Sequence, residues 1–142
     1  MRILLINGDQ HSRQVMAQTC TQPFYQVAAV TGKERALQIL TNSDQPVIVV
    51  VDFPLAAWLD SSDFLTTIIR MPHLTRIHSY VLLLQTNETL PLAVGRIIGE
   101  LPLEMVAKPV NSVTLLAVVE KAQRQQLLHN EATVRIQRPQ LS

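Results

Sequence analysis

Residues 47–51 read Val-Ile-Val-Val-Val, five β-branched side chains in succession, and the chain then meets a carboxylate at Asp52, followed by Phe53 and Pro54. β-branched residues are stiff at χ1 and favour extended backbone. A run without polar alternation suits a strand covered on both faces, which is the place of a central strand in a parallel sheet. Ending such a strand on a charge is costly unless a partner compensates it. Asp52 is therefore the residue around which the rest of the chain is read.

Four other apolar runs have strand character: 2–6 (RILLI), 25–30 (YQVAAV), 80–85 (YVLLLQ) and 104–107 (EMVA). Segments with helical spacing lie between them. In 12–20 Val15, Met16 and Cys20 share one face, and in 31–40 Ala36, Leu37 and Leu40 do. Residues 61–71 form a helix capped by Ser61 or Ser62, with Phe64, Leu65, Ile68 and Ile69 turned inward. A further helix starts near Pro91, a favoured first-turn residue, and the last runs from about Val113 to Leu128 behind Asn111 or Ser112. Strands alternating with helices predict an α/β fold, a five-stranded parallel sheet with helices on both faces. One domain, 1–128, is expected, with 129–142 a loose tail that lacks a clear period.

Composition narrows the function. The net charge is +1 and the twelve Lys and Arg are scattered, so no basic stripe points to nucleic acid. The apolar start is five residues long, too short for a signal peptide, and no run is long enough to span a membrane. The single cysteine, Cys20, has no internal disulfide partner. A cytoplasmic chain is expected.

In open α/β sheets ligands bind beyond the carboxyl ends of the strands. Strand one delivers Asn7, Gly8 and Asp9 there, strand three Asp52, strand four Thr86, and strand five Lys108 followed by Pro109. A carboxylate, a hydroxyl and an ammonium would thus converge on one end of the sheet.

These residues resemble the receiver domain of bacterial response regulators, the phosphoaspartate switches of two-component signalling. That family carries an acidic pair after strand one, the phosphoacceptor aspartate after strand three, Thr or Ser after strand four, and Lys-Pro after strand five. Asn7 to Asp52 spans 45 residues and Thr86 to Lys108 spans 22, both similar to receiver spacings. The segment TGKERALQIL is similar to the family's second helix, and the likeness covers about residues 2–127. It implies the flavodoxin-like receiver fold, a stand-alone module without an output domain, a histidine kinase or other signalling protein as partner, no enzymatic activity of its own, and Asp52, Thr86 and Lys108 as the residues of phosphoryl transfer.

The departures alter the implied mechanism. Asn7 and Gly8 replace the acidic pair, and the 34 residues from Asp52 to Thr86 imply an enlarged third helix or following loop. The aromatic often found three residues before the lysine is Met105. Phosphoryl transfer to a carboxylate brings anion to anion and depends on charge neutralisation. Receivers use Mg²⁺, a cation that wants oxygen ligands. Asp52 and, one place from the expected position, Asp9 are the candidate metal ligands, with the Asn7 amide oxygen as a neutral third. The expectation is an atypical receiver with weak or absent Mg²⁺-dependent phosphorylation, in which Lys108 lies permanently against Asp52 and Thr86 borders the same pocket. The Lys108–Pro109 bond is a candidate for cis.

Other readings are weighed on their residues. Lys33 follows Gly32, but no earlier glycine sits at phosphate-loop spacing and Glu34 stands where Ser or Thr would hold the metal. An FMN site would need a richer Gly and Ser/Thr loop than 7–13 provides. His11, His73, His78 and His129 show no paired ligand spacing and read as solvated loop histidines. Trp58 lies in the loop beyond Asp52, over the pocket or a core edge. A homodimer is expected through the face that holds the helix after Pro91, strand five and the last helix. The remaining alternative is a small-ligand binding domain or enzyme using the strand-end crevice.

Overall fold

The computed structural model describes residues 1–7, 9–52, 58–85, 103–108 and 110–141, with 58–63, 85 and 129–141 described by backbone alone. In chain order the elements are β1 (Arg2–Asn7), α1 (Gln10–Cys20), β2 (Gln26–Val30), α2 (Lys33–Thr41), β3 (Val47–Asp52), α3 (Trp58–Arg70), α4 (Pro72–Ile77), β4 (Ser79–Gln85), β5 (Leu103–Lys108) and α5 (Ser112–Leu141). The strands pair in parallel in the order β2-β1-β3-β4-β5. The α/β sheet read from the apolar runs is therefore the observed one.

Every residue of β3 is buried, as its unbroken apolar run demands. Side chains alternate across a strand, so the run serves two cores. Val47, Val49 and Val51 join Leu4, Ile6, Tyr80 and Leu82 beneath α2, α3 and α4, where Ala36, Leu40, Phe64, Leu65, Ile68 and Leu74 complete the layer. Ile48 and Val50 face the other way, with Ile3, Leu5, Val81 and Leu83, against Met16 and Cys20 of α1 and Leu115, Val119 and Ala122 of α5.

Several boundaries differ from the sequence reading. α1 begins at Gln10, because Asp9 caps it, and Val15, expected on its inner face, is 47% exposed. α3 begins at Trp58, ahead of the expected serine caps, and stops before Met71. Met71 precedes Pro72, and the proline ring disfavours helical backbone at the residue before it. Met71 accordingly sits at φ −114°, ψ 89°, and the short α4 restarts with Pro72 in its first turn. The extra length between Asp52 and Thr86 is spent in part here. Asn111 caps α5 as expected, its Oδ1 accepting the Thr114 N–H at 2.8 Å. The helix does not end near Leu128 in a loose tail but continues to Leu141. No glycine or proline lies between Ser112 and Arg138 to stop it. No helix among the described residues is long and apolar enough to cross a membrane.

Candidate functional site

Strand alternation decides which polar ends meet. Asn7 continues the Ile3–Leu5 side of β1 and Asp52 the Ile48–Val50 side of β3, so both emerge on the face of α1 and α5. The two are Cα partners in the β1–β3 ladder. Lys108, opposite Gln85 in the β4–β5 ladder, stands one strand farther away and spans β4 with its long side chain.

The three side chains form one cluster. Lys108 Nζ is ion-paired with Asp52 Oδ1, and Asn7 Nδ2 donates to Asp52 Oδ2 at 3.0 Å. Oδ1 takes no hydrogen bond beyond that ion pair among the described residues. The Asp52 side chain keeps 12% of its exposure and that of Lys108 22%, so the pair is shielded without being sealed. This is how a buried strand ends on a charge: an ammonium compensates one oxygen and a carboxamide the other.

Asn7 is held in turn. Its Oδ1 accepts the Asp9 N–H at 2.8 Å, its Nδ2 also contacts Met16 Sδ at 3.4 Å, and its backbone carbonyl accepts from Arg13 Nη1 at 2.9 Å. Both ends of the carboxamide are thus engaged inside the protein. Asp9, the second candidate metal ligand, points away: it is exposed and its Oδ2 accepts the Ser12 N–H at 2.8 Å as the α1 cap. That backbone bond, then the Ser12 hydroxyl, holds the Asp9 carboxyl below the usual aspartate range. Beside the cluster a cavity of about 270 Å³ runs between α1 and the start of α5, lined by His11, Ser12, Val15, Met16, Asp52 and Lys108 among others. Sequence reasoning did not assign Arg13 or Met16 to the site; their places follow only from the first turns of α1 folding back over the end of β1. Thr86, Gly8, Pro109 with its bond to Lys108, the Trp58 side chain and the helix after Pro91 lie outside the described residues or side chains. Among the described residues, no three His, Cys, Asp or Glu side chains are grouped to hold a metal.

One histidine overturns its sequence reading. His78, a solvated loop residue by its sequence, is 2% exposed at the opposite end of the sheet. Its Nδ1 accepts the Val47 N–H at 3.0 Å, which leaves the proton on Nε2 to be donated to the Leu40 carbonyl at 3.2 Å. Burial pushes its pKa down, against a smaller upward pull from the Leu40 carbonyl. Its partners are backbone groups, which leave no mark in a sequence. His11 and His73 are exposed, as expected.

No protein-family model and no curated protein sequence matches the chain. Solved structures do. A CheY-like response regulator receiver domain protein from Methanospirillum hungatei JF-1 superposes with a TM-score of 0.67 at 14% identity, covering 92% of this chain and 97% of that one. The chemotaxis response regulator CheY4 of Vibrio cholerae gives 0.64 at 19% identity, covering 85% and 97%. A structure described as the adenylate cyclase from Rhodopirellula baltica gives 0.72 at 15% identity, covering 96% of each chain. The fold is that of the CheY-like receiver domains.

Proposed function

We propose that this receiver-fold chain is a signalling module of the two-component type, an atypical receiver that works through protein–protein contacts. Asp52 holds the phosphoacceptor position, and Mg²⁺-dependent phosphorylation there is weak or absent. The observation that carries this reading is the engagement of both Asp52 oxygens, one by Lys108 and one by Asn7.

Transfer would require an Asp52 oxygen to attack phosphorus while the donor's leaving group departs with its bonding electrons. Two anions must then approach, and positioning with charge neutralisation supplies most of the catalysis. Mg²⁺ would supply that neutralisation in a receiver with carboxylates to hold it. The donor set here fits the ion poorly. Mg²⁺ prefers near-octahedral oxygen coordination from one or two carboxylates plus waters. Asp52 is one carboxylate with both oxygens occupied, the Asn7 oxygen is taken by the Asp9 N–H, and the Asp9 carboxylate is spent on the helix cap. Lys108 remains the only described cation in direct contact with Asp52, and it is paired before any phosphodonor arrives.

The partner class is a histidine kinase or another signalling protein, and a second copy of the chain can meet the β5–α5 face, where Met105 and Leu127 are exposed. The recognising unit is residues 1–128, with 129–142 as its appendage. The cavity beside Lys108 favours one second reading, a small-ligand site. Incubation with acetyl phosphate and millimolar Mg²⁺, read by intact mass, tests the leading proposal. The expected result is no phosphoryl adduct, or a trace one. Full, Mg²⁺-dependent modification that is lost in Asp52→Ala would overturn the atypical assignment.

A further inference from the structure

We propose that His78 is an acid-released latch that joins the α2–β3 turn to the start of β4. The ring spans two elements distant in sequence, taking the Val47 N–H at the head of β3 and giving its own N–H to the Leu40 carbonyl in the last turn of α2. It therefore closes both ends of the intervening segment, residues 41–46. Within that segment the Ser43 hydroxyl donates to the Gln45 carbonyl and accepts from Arg2. The Asn42 and Ser43 N–H groups close back on the Gln38 and Leu40 carbonyls of α2, so the His78 ring is what ties the segment to β3 and β4. Protonating Nδ1 turns an acceptor into a donor aimed at the Val47 N–H, and the bond to Val47 is lost while the one to Leu40 survives.

The surroundings favour the neutral ring. α2 and β3 present Leu40 and Val47, which carry no charge. α4 brings Arg76, whose fixed positive charge opposes another beside it, and the His73 ring. Glu104 of β5 lines the same cavity, but Lys121 of α5 pairs with it at 3.3 Å, and Gln125 and Gln126 are uncharged. Asp44, within the clasped segment, is exposed. The cavity, about 340 Å³ and lined by His78 with Thr75, Arg76 and Ser79, gives water a route to the ring. Protonation therefore needs no global unfolding. The release is local, and it stands on geometry independent of any role for Asp52.

Amide exchange read residue by residue tests the latch. The protection factor of Val47 should be constant near neutrality, fall by up to about tenfold per pH unit as the pH drops from the range of a free imidazole toward the lower pKa of the latched ring, and level off below it, as one-proton linkage requires. Amides at the centre of the sheet, such as Val49, should hold their protection over the same range. In His78→Gln, which keeps one donor and one acceptor without titrating, Val47 should show no such step. Flat Val47 protection in the natural protein, or the same fall in the glutamine variant, would overturn the proposal. Should His78→Gln not fold, the ring's own ¹⁵N shifts decide. A proton on Nε2 at pH 7, with ring titration that coincides with the loss of Val47 protection, supports the latch. An Nδ1–H tautomer, or titration without effect on Val47, sinks it.

Discussion

Asn7 and Asp52 face each other across β1 and β3, and the Asn7 carboxamide donates to Asp52 Oδ2 at 3.0 Å while its oxygen accepts the Asp9 N–H. Truncation to Asn7→Ala strands a buried carboxylate oxygen and a backbone donor together. Leaving such groups unsatisfied costs about 1–3 kcal/mol each way it is measured, and a loss near 2 kcal/mol in urea unfolding is expected. The Lys108 pair is more exposed, and partly solvated ion pairs contribute less. A double-mutant cycle with Asp52→Asn and Lys108→Met should therefore give a coupling of about 1 kcal/mol, reduced by added salt. A zero coupling would mean that the two charges meet without mutual benefit.

The same relationship makes Asn7 the place to restore a metal site. The change Asn7→Asp sets a second carboxylate beside Asp52, where like charges at short range repel. The variant should melt below the natural protein without metal and recover with millimolar Mg²⁺, because a ligand bound only by the folded state stabilises it by mass action. The natural protein should respond little. A large Mg²⁺ shift in the natural protein would show that a ligand set beyond Asn7, Asp9 and Asp52 is alive.

Much of this site was legible before the structure. Asp52 and Lys108 are read from their places at the ends of apolar runs, and parallel pairing brings those ends together without further information. The two-core packing of β3 likewise follows from an apolar run without alternation. The Asp9 cap carries a usable signal, an aspartate immediately before a helix start, which competes with reading Asp9 as a metal ligand one place from the expected acidic pair. The Asn7 carboxamide illustrates a deeper limit. Its residue type announces a donor and an acceptor, but which end meets Asp52 depends on the backbone of Asp9. His78 is hidden in the sequence for a related reason. A lone histidine before a strand has no partner residue to betray it when its partners are the Leu40 carbonyl and the Val47 amide.

Alkaline pH offers a test of the cores. Cys20, the last residue of α1, is fully buried against the sheet, and desolvation pushes its thiol from 9.0 up to about 11. Burial also raises the Tyr80 phenol, whose hydroxyl donates to the Leu74 carbonyl at 3.0 Å. For a group whose folded pKa is raised, the stabilising contribution is complete below the unfolded pKa and is lost as the pH climbs toward the folded one. Stability should hold to about pH 9 and then decline. Cys20→Ala should flatten the decline between 9 and about 11 while lowering stability overall. Native Cys20 should also resist thiol reagents at pH 8, since the thiolate is both rare and inaccessible. Rapid labelling without denaturant would contradict the burial of α1 on the sheet.

The turn before β2 carries a local strain that can be removed. Phe24 has φ 74° and its side chain is 91% exposed. Left-handed backbone costs an L-residue with a bulky side chain roughly 1–2 kcal/mol. The turn is held by the N-terminal ammonium, which donates to the Phe24 carbonyl at 2.8 Å, and by the Tyr25 N–H, which donates to the Gln22 carbonyl at 3.0 Å. Phe24→Gly removes the steric cost and keeps both backbone bonds. Against this stands the greater freedom of glycine in the unfolded chain, about 0.5–1 kcal/mol. So exposed a ring loses little burial when deleted, which leaves a net gain of about 0.5–1 kcal/mol for the glycine variant. Phe24→Val, β-branched at the same φ, should lose stability. The measurement is the urea midpoint with the slope unchanged, so that the shift reports stability and not compactness. A glycine variant less stable than the natural protein would mean that the Phe24 ring makes a contact worth more than the strain it imposes.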